Sequence, residues 1–464
     1  MKSGEYDTSL FIFRRDLRLS DNTGLINALE TSREVIPLFI LDKRIVGKNN
    51  INANIIQFLV ESLSDLDNQL KQNVTRLNII YDEPEKAIRN LFSQHDIEAI
   101  YFNRDYTPYS QKRDQRIAEI SIKQGIDLHI SNDYLMNEPE AVFTTKNDPY
   151  TVFTPYYNKA LQIRIKYPKK NDHKNYFQGD INCKNKIENV ELYIKEKNPN
   201  LTVHGGINNC STILDNLSQY SNYEFERDYP ALNKTTHLSA YLKFGICSVR
   251  EVYHKIRAQL GEDHPLIRQL YWRDFFTQIG YYFPRVFSNS FRVKYDEIKW
   301  EEDTKKFQTW CDGKTGFPIV DAGMRELNTT GYMHNRVRMI VASFLTKDLH
   351  VDWRKGEQYF AKNLVDFDIS VNNGNWQWAA STGCDAQPYF RIFNPWTQQK
   401  KFDAECKYIK KWIPELAEVE NKVIHNWFKT NNFDEIDYPK PIIDHKIESK
   451  KSKEIYVAVS KEYR

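Results

Sequence analysis

No tryptophan precedes Trp272 in this chain of 464 residues; all nine lie between Trp272 and Trp427. Trp is large and rigid, so its confinement to one half points to a thick core there, to flat stacking surfaces, or to a route for single electrons. Cysteines are few and scattered: Cys183, Cys210, Cys247, Cys311, Cys384 and Cys406 contain no C-x-x-C pair. That argues against zinc and against a disulfide framework, and it favours reduced thiols in a cytosol-like compartment. No apolar run reaches the ~18 residues of a membrane span. Residues 1–7 are too polar for a secretory signal. The net charge is only +3, so a DNA-binding surface would have to come from local clustering of Lys and Arg. No G-x-G-x-x-G follows the first β-rich run; Phe13-Arg14-Arg15-Asp16-Leu17-Arg18 stands there instead, which argues against an ordinary dinucleotide dehydrogenase.

What is present divides into two rhythms. Residues 9–13, 35–41, 76–81, 97–102 and 126–130 are β-rich, and residues 23–31, 54–72, 84–93 and 111–124 between them read as helices. Strands that alternate with helices predict a doubly wound parallel sheet covered on both faces, with a ligand outside the carboxyl ends of its strands. This gives an α/β domain over residues 1–130, and a polar, Asn/Lys/Pro-rich connector across the surface over 131–204. A helical domain, with its own core, is expected over 205–438, including helices over 249–260, 264–281, 331–347 and 357–364. A short Lys/Glu-rich tail, expected to be mobile, occupies 439–464.

Within the second half, Asn372-Asn373-Gly374-Asn375-Trp376-Gln377-Trp378 sets two indoles two residues apart, on different sides of a helix, so that one can face a buried cofactor and the other a cleft. On the helix after Met333, Asn335, Arg338, Met339 and Ala342 share one side, while Val337, Ile340, Val341, Phe344 and Leu345 form the core side. The Thr235-Thr236-His237-Leu238-Ser239 run leads into an apolar stretch, as at a helix N-terminus that either caps itself or binds a diphosphate. Further motifs are Tyr271-Trp272-Arg273-Asp274, Gly313-Lys314-Thr315-Gly316-Phe317-Pro318, Tyr332-Met333-His334-Asn335-Arg336 and Pro388-Tyr389-Phe390-Arg391. In their order and spacing, together with Phe13-Arg14-Arg15-Asp16-Leu17-Arg18, the chain resembles the photolyase/cryptochrome family, nearest to the class I cyclobutane pyrimidine dimer photolyases.

The resemblance implies an N-terminal Rossmann-like antenna domain and a helical domain holding FAD, active as the reduced anion. It assigns Tyr223, Thr235, Thr236, His237, Leu238 and Ser239 to the flavin's phosphate segment, with Arg273 as added countercharge. Arg338 would pair with Asp366 beside the ring, Asp368 would accept from its uracil-like edge, and Asn372 would face flavin nitrogen 5. Trp272 and Trp378 would be stacking walls for a flipped dimer, with Gln269, Asn335 and Met339 beside them, and Arg227 and Arg391 near the DNA backbone. Trp376, Trp353 and Trp300 match a photoreduction chain running outward from the flavin.

Departures from the pattern also matter. Gln269 stands where class I members usually carry Glu and (6-4) photolyases carry Gln; Asn335 and Met339 replace the two histidines of a (6-4) enzyme, and neither transfers a proton. Ser110, Phe287 and Ser288 replace the residues that support a folate antenna, leaving a deazaflavin, a second flavin or no second chromophore. The expected protein is therefore a light-driven deoxyribodipyrimidine photo-lyase acting on UV-damaged DNA as a monomer, cytoplasmic or with the DNA of a nucleoid or nucleus, without a metal. A signalling cryptochrome is the alternative; those often carry long C-terminal extensions, whereas here little follows Tyr438. A (6-4) photolyase is the third.

Overall fold

The computed structural model of the protein describes residues 4–46, 52–179, 181, 190, 197–430 and 436–462. Strands β1 (Tyr6–Phe13), β2 (Ser32–Asp42), β3 (Asn78–Asp82), β4 (Ala99–Asn103) and β5 (Asp127–Ser131) form one parallel sheet in the order β3-β2-β1-β4-β5. Leu10 of β1 lies opposite both Ile36 and Ile100. Alternate residues serve opposite faces: Leu10 and Ile12 join one apolar cluster, Phe11 and Phe13 another. Helices α1 (Thr23–Thr31), α2 (Ala53–Lys71), α3 (Pro84–Gln94) and α4 (Pro108–Gln124) alternate with the strands, as their periodicity predicts. Asn22, Asn52 and Thr107 cap α1, α2 and α4 through their side chains.

The connector does more than cross the surface. It contains α5 (Phe153–Ala160), and Phe153, Tyr156 and Ala160 are buried in the same apolar cluster as Phe11 and Phe13. A few aromatics diluted in a polar run were enough to anchor it. Most of residues 180–196, Cys183 among them, lies outside the described residues; the other five cysteines are free and buried.

In the helical half, the site is framed by α6 (Ser239–Phe244), α7 (Pro265–Tyr282), α8 (Asn335–Ser343), α9 (Trp353–Asn363) and α10 (Ile369–Ala379). The helix expected over 331–347 starts only at Asn335, because His334 takes the capping position and its Nδ1 accepts from Arg336 N–H. Beyond Ser343 the chain widens into a looser turn through Asp348. The expected mobile tail is instead a docked helix, α11 (His445–Glu462). Tyr456 is buried and its hydroxyl donates to the Ala380 carbonyl at 2.5 Å; His445 meets Asp348 at 2.5 Å and His350 meets Glu448 at 2.7 Å. The Lys/Glu composition hid the short apolar stripe of Tyr456 and Val459.

The apolar cluster built on β1 does not stop at the end of the α/β part. It continues through Tyr241, Phe244, Leu270 and Phe275 of the helical part. A buried ionic network crosses the same boundary: Arg18 and Arg250 both grip Asp133, and Arg250 also grips Asp21. Among the described residues, no helix is long and apolar enough to cross a membrane, and no His/Cys/Asp/Glu cluster is arranged to hold a metal.

Candidate active site

Helices α6, α7, α8 and α10 surround a cavity of about 420 Å³, within the range of small-molecule sites. Its walls bring together Tyr223, Arg227, Thr235, Thr236, His237, Leu238 and Ser239 with Gln269, Trp272 and Arg273. Asn335, Arg338, Met339, Asp366, Asp368, Asn372, Trp376 and Trp378 complete the wall. Trp300, Trp353 and Arg391 are not part of it.

The acidic groups on the wall have identifiable partners. Asp366 accepts from Arg338 Nη2 at 3.0 Å and from Ser239 Oγ at 2.6 Å. Asp368 caps α10, accepting from the Ser370 and Val371 N–H groups at 3.0 and 3.1 Å, and from Tyr134 OH at 2.9 Å. Its remaining partner, Arg15, comes from the other half of the chain. Burial alone would raise the Asp368 pKa; Arg15, the Val371 N–H and Arg273 outweigh it and hold the carboxylate well below its ordinary range. Arg273 is itself occupied at the domain boundary, lying 3.7 Å over the Tyr134 ring and donating to the Tyr134 carbonyl.

Asn372 donates its Nδ2 to Glu357 Oε1 at 2.9 Å and to the Glu357 carbonyl at 3.2 Å. This fixes the amide and leaves its oxygen as the acceptor available to the cavity. Glu357, whose carboxyl pKa burial pushes up, was not foreseen from the sequence; nor were Arg15, Tyr134 and Lys243. Arg15 lay in a motif already singled out, but nothing local tells where its guanidinium goes.

The Thr/His/Ser run behaves unlike a self-capping helix start. Leu238 holds the capping position of α6 with no side-chain cap, and the Ser239 hydroxyl is spent on Asp366. Thr235 Oγ1 and His237 Nδ1 are buried on the cavity wall without a hydrogen-bond partner. Buried polar atoms are rarely left so, and these two call for a polar ligand.

The aromatic residues sort by depth. Trp272 is half-buried and lies flat against Phe153, centroids 3.6 Å apart at 5°. Trp376 is fully buried and Trp378 half-buried, and both border the same cavity. Trp376 packs directly on α9, because a Cβ at Gly356 would come within 2.2 Å of its ring. Trp353 begins α9 and is buried in the same cluster, and Trp300 sits half-buried where that cluster meets the Tyr295/Tyr456 cluster. Trp310 is a further indole in contact with Trp376, at 6.2 Å. At the mouth, Asn335 is exposed with its Nδ2 3.8 Å from Met339 Sδ, and Gln269 Nε2 donates to the Pro265 carbonyl at 3.3 Å.

The pattern of the FAD binding domain of DNA photolyase matches residues 266–458, and that of DNA photolyase matches residues 9–172. The deoxyribodipyrimidine photo-lyase of Alkalihalophilus pseudofirmus is 36% identical over 95% of this chain and 96% of its own length. The chain belongs to the photolyase/cryptochrome family. Among solved structures of the family, an archaeal photolyase from Sulfolobus tokodaii, crystallised with two FAD molecules, is similar at 40% identity and a TM-score of 0.88, covering 97% of this chain and 100% of that one. A class III photolyase from Agrobacterium tumefaciens is similar at 32% identity and a TM-score of 0.90, covering 99% and 98%. The cavity of this photolyase-family chain is walled by elements of its FAD-binding domain together with residues that precede it, and the unpartnered Thr235 and His237 atoms suit a polar cofactor such as FAD.

In the α/β half, the carboxyl ends of β1 and β4 flank the point where the strand order reverses. Arg14 meets Asp114 at 2.9 Å, Arg15 meets Asp105 at 3.4 Å, and Ser110 Oγ donates to Asp105 at 3.0 Å.

Proposed function

We propose that this protein is a light-driven DNA repair lyase that splits cyclobutane pyrimidine dimers in UV-damaged DNA. The observation that carries the reading is that one cavity is walled both by the flavin-side set (Ser239, Arg338, Asp366, Asp368, Asn372) and by the set suited to a flipped base (Gln269, Trp272, Asn335, Met339, Trp378). Reduced FAD, when bound, supplies under blue light the electron that opens the dimer's cyclobutane ring and receives it back afterwards. The rest falls to the protein. Asp366, fixed by Arg338 and Ser239, and Asp368, fixed by Arg15 and Tyr134, present oriented carboxylates to the cofactor. Thr235 and His237 offer it their free polar atoms.

Trp272, held flat by Phe153, gives the extruded pair the stacking it loses in the duplex. Asn335 and Met339 carry no titratable proton, which suits a cleavage without net proton transfer. Trp376 at the wall, Trp353 behind it and the half-exposed Trp300 form an inward route for replacement electrons. Arg227 at the mouth and the exposed Arg391 outside it are placed to meet DNA phosphates. The protein acts as a monomer in the compartment that holds the DNA.

The test is a repair assay on chemically reduced, FAD-loaded protein with a defined thymine-dimer oligonucleotide and a matched (6-4) oligonucleotide, lit and dark. Light-dependent loss of the thymine dimer alone is expected. Turnover in darkness overturns the mechanism, repair of the (6-4) lesion overturns the substrate, and FAD photoreduction without repair of either makes the protein a cryptochrome.

A further inference from the structure

One cation on the cavity wall is left over when its charges are paired. Asp366 is matched by Arg338 and Asp368 by Arg15; Arg273 has Asp274 at 3.4 Å, and Arg227 at the rim reaches at 4.0 Å an Asp228 that Arg336 holds at 2.6 Å. Lys243 lines the same wall, yet no carboxylate lies within ion-pair distance of its ammonium among the described residues. Its near neighbours are aromatic faces, a weak substitute for a counterion: Nζ lies 4.3 Å from the Phe244 ring centroid and 5.9 Å from that of Phe367.

The main chain leaves this cation little freedom to move away. Lys243 sits in the last turn of α6, and its carbonyl accepts from Arg15 Nε at 3.1 Å. The Phe244 carbonyl accepts from Leu17 N–H at 3.0 Å. Gly245 follows in the left-handed conformation, and a Cβ there would meet the Arg15 carbonyl oxygen at 2.2 Å. The end of α6 is thus clamped to the segment after β1.

Burial, and next the nearby Arg15, push the Lys243 ammonium down to about 7, while Asp368 and Asp366 act in the opposite sense. A half-buried cation without a direct counterion is stabilised when an anion joins it. Among the described residues Asp368 and Asp366 act on Lys243 only from beyond ion-pair distance, which leaves the direct place beside it to an anionic ligand.

We propose that Lys243 is the countercharge of the reduced, anionic flavin, a positioning residue that makes the cavity prefer the reduced cofactor to the neutral-ring oxidised form. The proposal deepens the flavin reading above and rests on it. Both redox forms carry the diphosphate, but only the reduced ring adds a further negative charge. A lysine serving the diphosphate would therefore treat both forms alike, and one serving the ring would not.

The experiment compares full-length wild type, Lys243→Met and Lys243→Arg. Dissociation constants are measured for oxidised FAD and for dithionite-reduced FAD under anaerobic conditions, together with the two-electron midpoint potential at fixed pH. Lys243→Met is expected to weaken reduced FAD about tenfold more than oxidised FAD, which lowers the potential by about 30 mV. Lys243→Arg keeps the charge and is expected to restore the wild-type ratio within twofold. Should Lys243→Met fail to fold, Lys243→Gln, which keeps the stem and a polar end, is read in its place with the same expectation. Equal weakening of both redox forms, no change in either, or an arginine variant that shifts the potential as the methionine variant does each overturns the proposal. Wild type that takes up no FAD overturns the flavin reading of the cavity itself, whereas an unshifted Lys243 variant leaves that reading intact.

Discussion

The strand ends of the α/β half and the cavity of the helical half are both lined with charge, but they pair it differently. At the strand ends, Arg44 is shared between Asp42 and Glu85, Arg14 and Arg113 share Asp114, and Ser110 completes Asp105. In the helical half, Thr235 and His237 keep unpartnered buried atoms and Lys243 keeps an unmatched charge. At the strand ends the ions are paired more than once, although Arg14 Nη2 and Arg113 Nη2 stay buried without a hydrogen bond; in the helical half a whole cation lacks a direct counterion. Redundant pairing makes a region tolerant of single substitutions, while single pairing makes it fragile.

The largest expected effect breaks the second region. Arg338→Leu leaves Asp366 buried with only Ser239 as partner, and should cost about 3–5 kcal/mol in denaturant unfolding of the FAD-free protein, together with most of its FAD uptake. A loss no larger than that of an ordinary surface substitution would show that the pair is solvated and the contrast unfounded.

A matched pair of variants sharpens the comparison. Arg15→Met removes the direct ion-pair partner of Asp368 and should cost about 2–3 kcal/mol. Arg14→Met leaves Asp114 still paired with Arg113 at 3.0 Å, and should cost about 1 kcal/mol. Equal costs, read from the same unfolding midpoints, would contradict the distinction between redundant and single pairing.

A pH effect follows from His334, which caps α8. Burial, then Arg338, lower its pKa from 6.5 to about 4 in the folded protein. The neutral ring's contribution is therefore complete above pH 6.5 and is lost as the pH falls toward 4. Wild type should lose about 1–2 kcal/mol relative to His334→Asn between pH 7 and pH 5, a difference that parallel unfolding curves would reveal.

The smallest effect concerns the wall of the cavity. Phe153→Leu keeps an apolar filler but removes a flat ring contact worth ~0.5–1.5 kcal/mol, so dimer-DNA affinity should fall by roughly two- to tenfold, with binding of undamaged DNA unchanged. Anisotropy titrations in the dark at fixed salt measure both.

Local pattern was enough for the sheet: Leu10, Phe11, Ile12 and Phe13 announce a strand buried on both faces, and Thr23–Thr31 matches its helix to the residue. The amphipathic split of α8 was equally legible, with Val337, Ile340 and Val341 buried and Asn335, Arg338 and Met339 on the cavity. What the sequence concealed were partners distant along the chain. Arg15 and Asp368 are 353 positions apart, and Phe153 meets Trp272 from within a stretch whose composition is that of a loop. Lys243 was invisible for a different reason: its significance is the lack of a partner, which appears only after every neighbouring charge has been placed.

The apolar cluster that runs unbroken from β1 into the helical half sets a limit on how this chain can be rearranged. Grafting its α/β half onto another family member's helical half would expose Phe58, which packs on Tyr241 at 5.5 Å and Phe244 at 5.2 Å, unless the recipient surface has the same shape. Substitutions on the two sides of that seam must then be inherited together, so a successful exchange of antenna domains would cut the chain elsewhere and carry residues 239–250 with the donor.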